Sequence, residues 1–287
     1  MTDAVPHLVF DLGFHLGEDT DHYLAQGHRV VALEANPALA QQGRERFAAW
    51  IAAGQLTLVN AAVVGQARGL HQVAFHPHPS RSEWGSVDLR WVRRNAEAHG
   101  LPHAEPIPVE AVCLEELVAR HGCPWLLKID IEGADEEVLA DLKRLAERPA
   151  YVSWETGKES LRAVLAQHRR LHQLGYGRFR IVQQAHLERG PGIRLADGSQ
   201  YRFQPGASGP TPADSPQPWR SLRWVALQYR LLFLLYGLIG PRSLFVRASR
   251  SRHRWLAWGP QRLRRWADSR AIPLPGWVDS HAALGER

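Results

Sequence analysis

A chain of 287 residues with 45% hydrophobic and 22% charged residues has an ordinary globular composition, enough for one large α/β domain with an appendage or for two small domains. Two cysteines, Cys113 and Cys123, exclude a disulfide framework, give no metal-type spacing, and fit a reducing cytoplasm. The net charge of +6 is uneven: from Trp219 onward 13 Arg face three acids, a balance of +10, which leaves −4 on the remainder.

The first two-thirds alternate strand-like and helix-like segments. Leu8–Leu12 reads as a strand ending at Gly13, Glu18–Gln26 as a helix stopped by Gly27, and Arg29–Leu33 as a second strand. A helix opens at Pro37, a favoured first helical position, and Gln55–Val63 contains a third strand. His71–Phe75 and Glu110–Cys113 read as further strands around a loop rich in His, Pro and Ser. Glu115–Arg120 is helical, Trp125–Ile131 a central strand, and Ala134–Ala146 a helix with acids in its first turn. Ala150–Trp154 is the next strand, Glu159–Gln173 a helix and Arg178–Gln183 a strand. Strands separated by helical patterns predict a doubly wound, mostly parallel sheet with helices on both faces.

Pro205–Pro218 is dense in Pro, Gly and Ser and reads as a loop or linker. The expected division is therefore a domain over 1–205, a linker over 206–218 and an Arg/Trp-rich extension over 219–287. In that extension Ser221–Ile239 is helix-compatible and Pro260–Ala267 reads as a short second helix. Its longest apolar run, Leu231–Ile239, is far short of the ~20 residues that span a bilayer. The opening MTDAVPHLVFDLG has no basic segment, so no secretory signal is expected and the protein is placed in the cytoplasm.

VFDLGFHLGEDT (Val9–Thr20) sets a glycine-punctuated turn between the first strand and the first helix. Gly13 and Gly17 let the backbone approach a ligand, at the sheet edge where doubly wound folds bind them. Glu34 ends the second strand about 20 residues later, where an acid accepts hydrogen bonds from ribose hydroxyls. Asn60, near the end of the third strand, is placed to reach an adenine edge. The spacing is not G-x-G-x-x-G, which disfavours NAD. Asp11 suits a ligand with an amine and a sulfonium, such as S-adenosylmethionine, and would be repelled by a diphosphate.

LLKIDIEGADEEVL (Leu126–Leu139) begins apolar and then places Lys128, Asp130 and Glu132 at every second position, on one strand face. A buried charge is costly unless partnered. Lys128 is expected to pair with Asp130 and to tether this face to its covering helix. Asp130 and Glu132, at the strand's carboxyl end with Glu155 opposite, are the candidates for orienting or deprotonating an acceptor hydroxyl. Lys128 would keep Asp130 ionised. His15 is the rival base, and Mg²⁺ held by these carboxylates is a weaker reading, so no residue is assigned to a metal.

DLGFHLGEDTDHYLAQGHRVVALEANP and LLKIDIEGADEEVL together resemble the FkbM-type methyltransferases, a class I S-adenosylmethionine-dependent family. EAVCLEEL, RPAYVSWE, LGYGRFRIVQQ and SGP extend the resemblance over roughly residues 8–210, and GWVDSHA (Gly276–Ala282) is similar to a family ending. The resemblance implies a Rossmann-like seven-strand fold, S-adenosylmethionine as cofactor, and O-methylation of hydroxyls on polyketides or sugars. Asp19, Thr20 and Asn36 complete the expected cofactor set of Asp11, Gly13, His15, Gly17, Glu34 and Asn60. SEWGSVDL (Ser82–Leu89) matches the family only loosely and Gly240–Leu274 has no counterpart, which marks both as acceptor-side regions. The basic extension raises two further readings. Nucleic acid is not expected, because no recognition motif accompanies the charge, whereas membrane-surface contact through 219–270 is a second role for it. A non-catalytic Rossmann-type nucleotide-binding protein is the alternative to an enzyme.

Overall fold

The computed structural model describes residues 6–99, 105–157, 160–184, 187–239, 262 and 278–285. Two compact units divide the chain, one of residues 1–155 with 193–201, the other of residues 156–192 with 202–287.

The first unit opens with β1 (Leu8–Leu12), α1 (Glu18–Ala25), β2 (Arg29–Leu33), α2 (Pro37–Arg46), α3 (Ala48–Ala52) and β3 (Leu56–Val59). It continues through β4 (Ala62–Val63), β5 (Gln72–Phe75), α4 (Leu89–His99), β6 (Ile107–Val112), α5 (Leu114–His121), β7 (Leu126–Ile129), α6 (Asp135–Asp141) and β8 (Tyr151–Glu155). The second unit contributes α7 (Leu161–Gln173), β9 (Tyr176–Gln183), α8 (Leu222–Ile239) and β12 (Val278–Leu284); β10 (Ile193–Arg194) and β11 (Gln200–Tyr201) form a small hairpin of the first unit.

The main sheet has seven strands in the order β3-β2-β1-β7-β8-β12-β9. The first five pair in parallel, while β12 and β9 pair antiparallel, so the sheet is mostly parallel as expected. β4, β6 and β5 make a separate three-stranded sheet. Every residue of β7 is buried, and β1 and β2 each bury all but their first residue. Such near-continuous apolar runs belong to strands covered on both faces. Val9, Phe14, Tyr23, Leu24, Val30, Phe47 and Leu126 pack into one cluster, each stabilising the fold by roughly 1.5–3 kcal/mol through burial.

Several boundaries differ from the sequence reading. The third strand breaks at Asn60–Ala61 into β3 and β4, which join different sheets. The central strand stops at Ile129 rather than Ile131, because the Asp135 carboxylate accepts the N–H groups of Ile131 and Gly133 and turns the chain out of the ladder. The following helix ends at Asp141 in a 3₁₀ turn, Leu142–Arg144. α4 lies in the stretch expected to be a loop, and β12 was not expected as a strand. Pro205–Pro218 is irregular, yet Ala207, Ser208 and Thr211 are buried. The helix expected over Pro260–Ala267 lies outside the described residues, Arg262 excepted. So do Gly276 and Trp277 of the closing GWVDSHA motif.

Candidate active site

In the main sheet β1 is flanked by β2 on one side and β7 on the other, so the strand order reverses there. That reversal leaves a crevice at the carboxyl ends of the strands, the usual ligand site of doubly wound folds. The three chain segments that leave these ends begin at Gly13, Glu34 and Asp130, and all three residues line one hollow of about 570 Å³, part of it open to solvent. Leu33, Leu39, Ala61, Val63 and Phe75 give it an apolar wall, while His15, Ser82, Ser86 and Glu132 add polar groups. An apolar wall with a few convergent polar groups is the lining of a small-molecule site.

Gly13 turns the chain sharply. Its N–H and that of Phe14 both donate to the Leu33 carbonyl, at 3.1 and 2.9 Å. With φ of 100°, a side chain here would be strained, and its Cβ would sit 1.8 Å from the Asp130 carbonyl oxygen; only glycine fits. Gly17 caps the start of α1 at φ 82°, against the rings of Phe47 and Phe14. Among the described residues, His15 and Glu132 are the two non-glycine positions with positive φ, both 51°, and both line the hollow. Strained backbone of this kind concentrates at functional sites.

Glu34 is held from behind. One carboxylate oxygen accepts the His15 N–H at 2.7 Å and the other the Asn36 N–H at 2.8 Å. Burial outweighs these donors and pushes its carboxyl up to about 7. His15 is fixed at both ring nitrogens, Nδ1 lying 3.1 Å from Glu18 and Nε2 2.8 Å from the Ser82 hydroxyl. Burial alone would lower its pKa, but Glu18, Glu34 and Glu83 outweigh that and carry it above the ordinary value.

Lys128 is buried and sits among three carboxylates. Its Nζ lies 2.7 Å from Asp19, 3.4 Å from Asp130 and 3.6 Å from Asp11. The expected Asp130 pair is present, yet the shortest contact goes to Asp19 on α1, which ties the strand to that helix. Burial would depress the ammonium pKa, but the acids together hold it well above the usual range. Asp11, which also accepts the Thr20 hydroxyl at 2.6 Å, is raised to about 6 by burial against the opposing pull of Lys128. Glu132 is pushed well above the carboxylate range, first by burial and then by Glu155, Asp130 and Asp135.

The residues singled out from sequence thus fall into three sets. Gly13, His15, Glu34, Asp130 and Glu132 line the hollow. Asp11, Asp19, Thr20 and Lys128 form a buried network joined to it through Asp130. Gly17, Asn36 and Asn60 are outside its lining. Asn36 caps α2 by accepting the Ala38 N–H, and the Asn60 amide donates to the carbonyls of Glu34 and Ala35 at 2.8 and 3.3 Å, pinning the end of β2. Sequence reasoning missed Ser82 and Ser86 as individual residues, although it marked their segment. The Ser86 hydroxyl donates to the Glu132 carbonyl at 2.5 Å and accepts the Asp88 N–H, which fixes the turn that carries Glu132.

Asp130, Glu132 and Glu155 each offer an oxygen within 4.8 Å of the others. Hard divalent cations take such ligands; a shared proton relieves the same repulsion.

An apolar wall for a base, a buried acid at the end of the second strand and a glycine turn beside it fit an adenosyl group. The residues present therefore suit S-adenosylmethionine. The sequence matches the family model of the methyltransferase FkbM domain over residues 11–176, more than half of the chain, and the chain belongs to that family. It is an S-adenosylmethionine-dependent methyltransferase. No curated protein sequence matches it. Among solved structures, the C-terminal domain of precorrin-6Y C5,15-methyltransferase from Rhodobacter capsulatus is similar at 11% identity and a TM-score of 0.37, over 64% of this chain and 71% of that one. An O-methyltransferase from Bacillus cereus in complex with SAH is similar at 13% identity and a TM-score of 0.32, over 62% and 68%. A SAM-dependent methyltransferase from Thiobacillus denitrificans with S-adenosyl-L-homocysteine reaches 15% identity and a TM-score of 0.30, over 98% and 86%. These likenesses are distant, and the family assignment stands on the family model.

Were Glu34 to accept the ribose hydroxyls of the cofactor, its raised carboxyl would make cofactor affinity pH-dependent. Only the ionised form accepts on both oxygens, so a ligand diol favours deprotonation and binding tightens as pH rises through about 7. Isothermal titration with S-adenosylmethionine should show affinity about tenfold higher at pH 8 than at pH 6, the linkage expected of one group titrating near 7. Glu34→Gln should flatten that dependence and bind roughly 10–100-fold more weakly, as loss of hydrogen bonds to a charged acceptor predicts. A flat wild-type profile would remove Glu34 from the cofactor site.

Proposed function

We propose that the chain methylates a hydroxyl group of a small-molecule, glycan or polyketide-type acceptor, with Asp130 as the group that takes the proton. The observation that carries this reading is the placement of Asp130 and Glu132 in the same hollow as Glu34. When bound, S-adenosylmethionine supplies an electrophilic methyl group on a sulfonium. The protein's part is to hold an acceptor oxygen in line and to relieve it of its proton, and positioning of this kind supplies much of the acceleration.

Asp130 is partly exposed at the hollow while its other side pairs with Lys128. Its carboxylate can orient a hydroxyl and accept its proton. Glu132 has its proton affinity raised by burial and by three neighbouring acids, which favours its neutral form, a hydrogen-bond donor that can orient the acceptor beside Asp130. His15 is less suited to the role, because both ring nitrogens already have partners and its raised pKa favours the charged form, which accepts no proton. The segment Ser82–Val87 borders the same hollow and supports an acceptor-side role for SEWGSVDL.

The test is incubation with methyl-labelled S-adenosylmethionine and a panel of hydroxylated sugars and polyketides, followed by assignment of the labelled atom by NMR. A methoxy product is expected. Label on nitrogen or carbon would overturn the O-methyl reading, and binding of cofactor with no label transferred across a host extract would favour a non-catalytic protein.

A further inference from the structure

Among the described residues, five of the eight exposed large apolar side chains lie on one helix, α8. They are Trp224, Leu227, Leu231, Leu234 and Leu235, and Leu234 is 60% exposed. At 3.6 residues per turn these positions form a single stripe along the helix. The opposite face is anchored within its own unit. Val225 and Tyr229 are fully buried, and the Tyr229 hydroxyl joins Thr156 and Ser280 in a buried set of hydrogen bonds at 2.5–3.0 Å. The helix therefore cannot roll its leucines inward. Exposed apolar surface gathered in one place marks a contact with something else.

The charge around the stripe says what. Arg223 and Arg230 are exposed and each precedes a stripe residue, Trp224 and Leu231, so both sit along one edge of it. Over the described residues 215–239 the charged side chains are Arg220, Arg223 and Arg230, and there is no acid. A second copy would bring the same positive surface to the contact and be repelled. An anionic bilayer offers apolar chains to the leucines and acidic headgroups to the arginines. No described helix is long and apolar enough to cross a membrane, and the anchored inner face keeps α8 in the plane of the surface.

We propose that α8 is an in-plane docking element that seats the protein on anionic lipid, Trp224 and the leucines entering the boundary between headgroups and acyl chains. The contact would hold the enzyme at a membrane surface without depending on the chemistry of its hollow.

The test is co-sedimentation of the full chain with vesicles of phosphatidylcholine alone or with about 30% phosphatidylglycerol, at about 50 and about 500 mM salt. Binding to the anionic vesicles at low salt and little to the neutral ones is expected. Leu231→Glu/Leu234→Glu should reduce that binding at least about tenfold, since it places charge in the apolar layer, with an unchanged melting temperature. Wild-type protein that stays in the supernatant, or a double variant that binds like wild type, overturns the proposal; the latter would assign vesicle binding to the arginines alone. Sedimentation velocity showing wild-type dimers and variant monomers would give the stripe to a second copy instead. A lowered melting temperature in both this variant and Leu231→Ala/Leu234→Ala would give it to the chain's own 240–277 segment. Either result overturns lipid docking.

Discussion

Lys128→Met is expected to cost about 3–5 kcal/mol of stability, the usual loss when one partner is stripped from a buried ion pair. At about 2–4 °C per kcal/mol for a chain of this size class, thermal unfolding should fall by roughly 6–20 °C at pH 7.5. The reason is local: Asp11 and Asp19 are almost wholly buried beside the ammonium, at 3.6 and 2.7 Å, and methionine leaves them facing each other and Asp130 with no cation. The pH dependence has a definite sign. The Asp11 carboxyl is already raised from 3.8 to about 6 in the folded chain, so between those values the folded state holds a proton that the unfolded state has released. Stability from this group is present below about pH 4 and is lost as pH rises through 6. Removing the cation raises the folded-state affinity for protons further, so the variant should recover part of its deficit on acidification towards pH 5. Denaturation followed by circular dichroism at pH 5 and 7.5 reads both effects. A variant melting within a degree of wild type at both pH values would mean that Lys128 is not what holds these acids in the core.

Asp130→Asn is expected to lower turnover by about 10²–10⁴-fold, the range that a positioned proton acceptor contributes, while cofactor affinity stays within a few-fold and the fold is intact by circular dichroism. Asparagine preserves shape and hydrogen bonding but neither accepts the proton nor pairs with Lys128. The loss should fall on kcat rather than on KM for the acceptor, because the proton leaves at the transition state. Glu132→Gln, which keeps a neutral hydrogen-bond donor where the raised carboxyl already favours one, should cost less than Asp130→Asn. Turnover by Asp130→Asn within about threefold of wild type would remove Asp130 from the chemistry, since no assigned base is so dispensable.

Much of the fold was legible because its strands are bounded by local chemistry. Leu8–Leu12 and Arg29–Leu33 were read to the residue, since each is a mostly apolar run and Gly13 stops the first. The misses have a common cause, which is that distant partners decide them. β12 pairs with β9 across nearly a hundred residues, and nothing within VDSHAAL announces that ladder. α4 follows a stretch of His, Pro and Ser whose composition signals a loop, and its amphipathic pattern was overlooked there. The central strand was drawn too long because alternation continues through Glu132 in the sequence, whereas the Asp135 carboxylate captures the Ile131 and Gly133 amides. Spacing alone singles out the glycine turn, Glu34, Asp130 and Glu132, which line one hollow. Asp19 as the nearest counter-ion of Lys128, and Ser82 on His15, required the third dimension.

The near-contact between the backbone at Gly13 and the carbonyl of Asp130 has a bearing on how such a protein could be retargeted. Two loops this close leave no room for a side chain between them, so redesign of the 128–132 edge would disturb the neighbouring turn as well. The 82–87 segment borders the same hollow but carries side chains of its own. Variation at Glu83 or Val87, away from Ser82 and Ser86, which hold His15 and the Glu132 turn, offers evolution, or a protein engineer, a dial that can be turned without loosening the hinge on which everything else is hung.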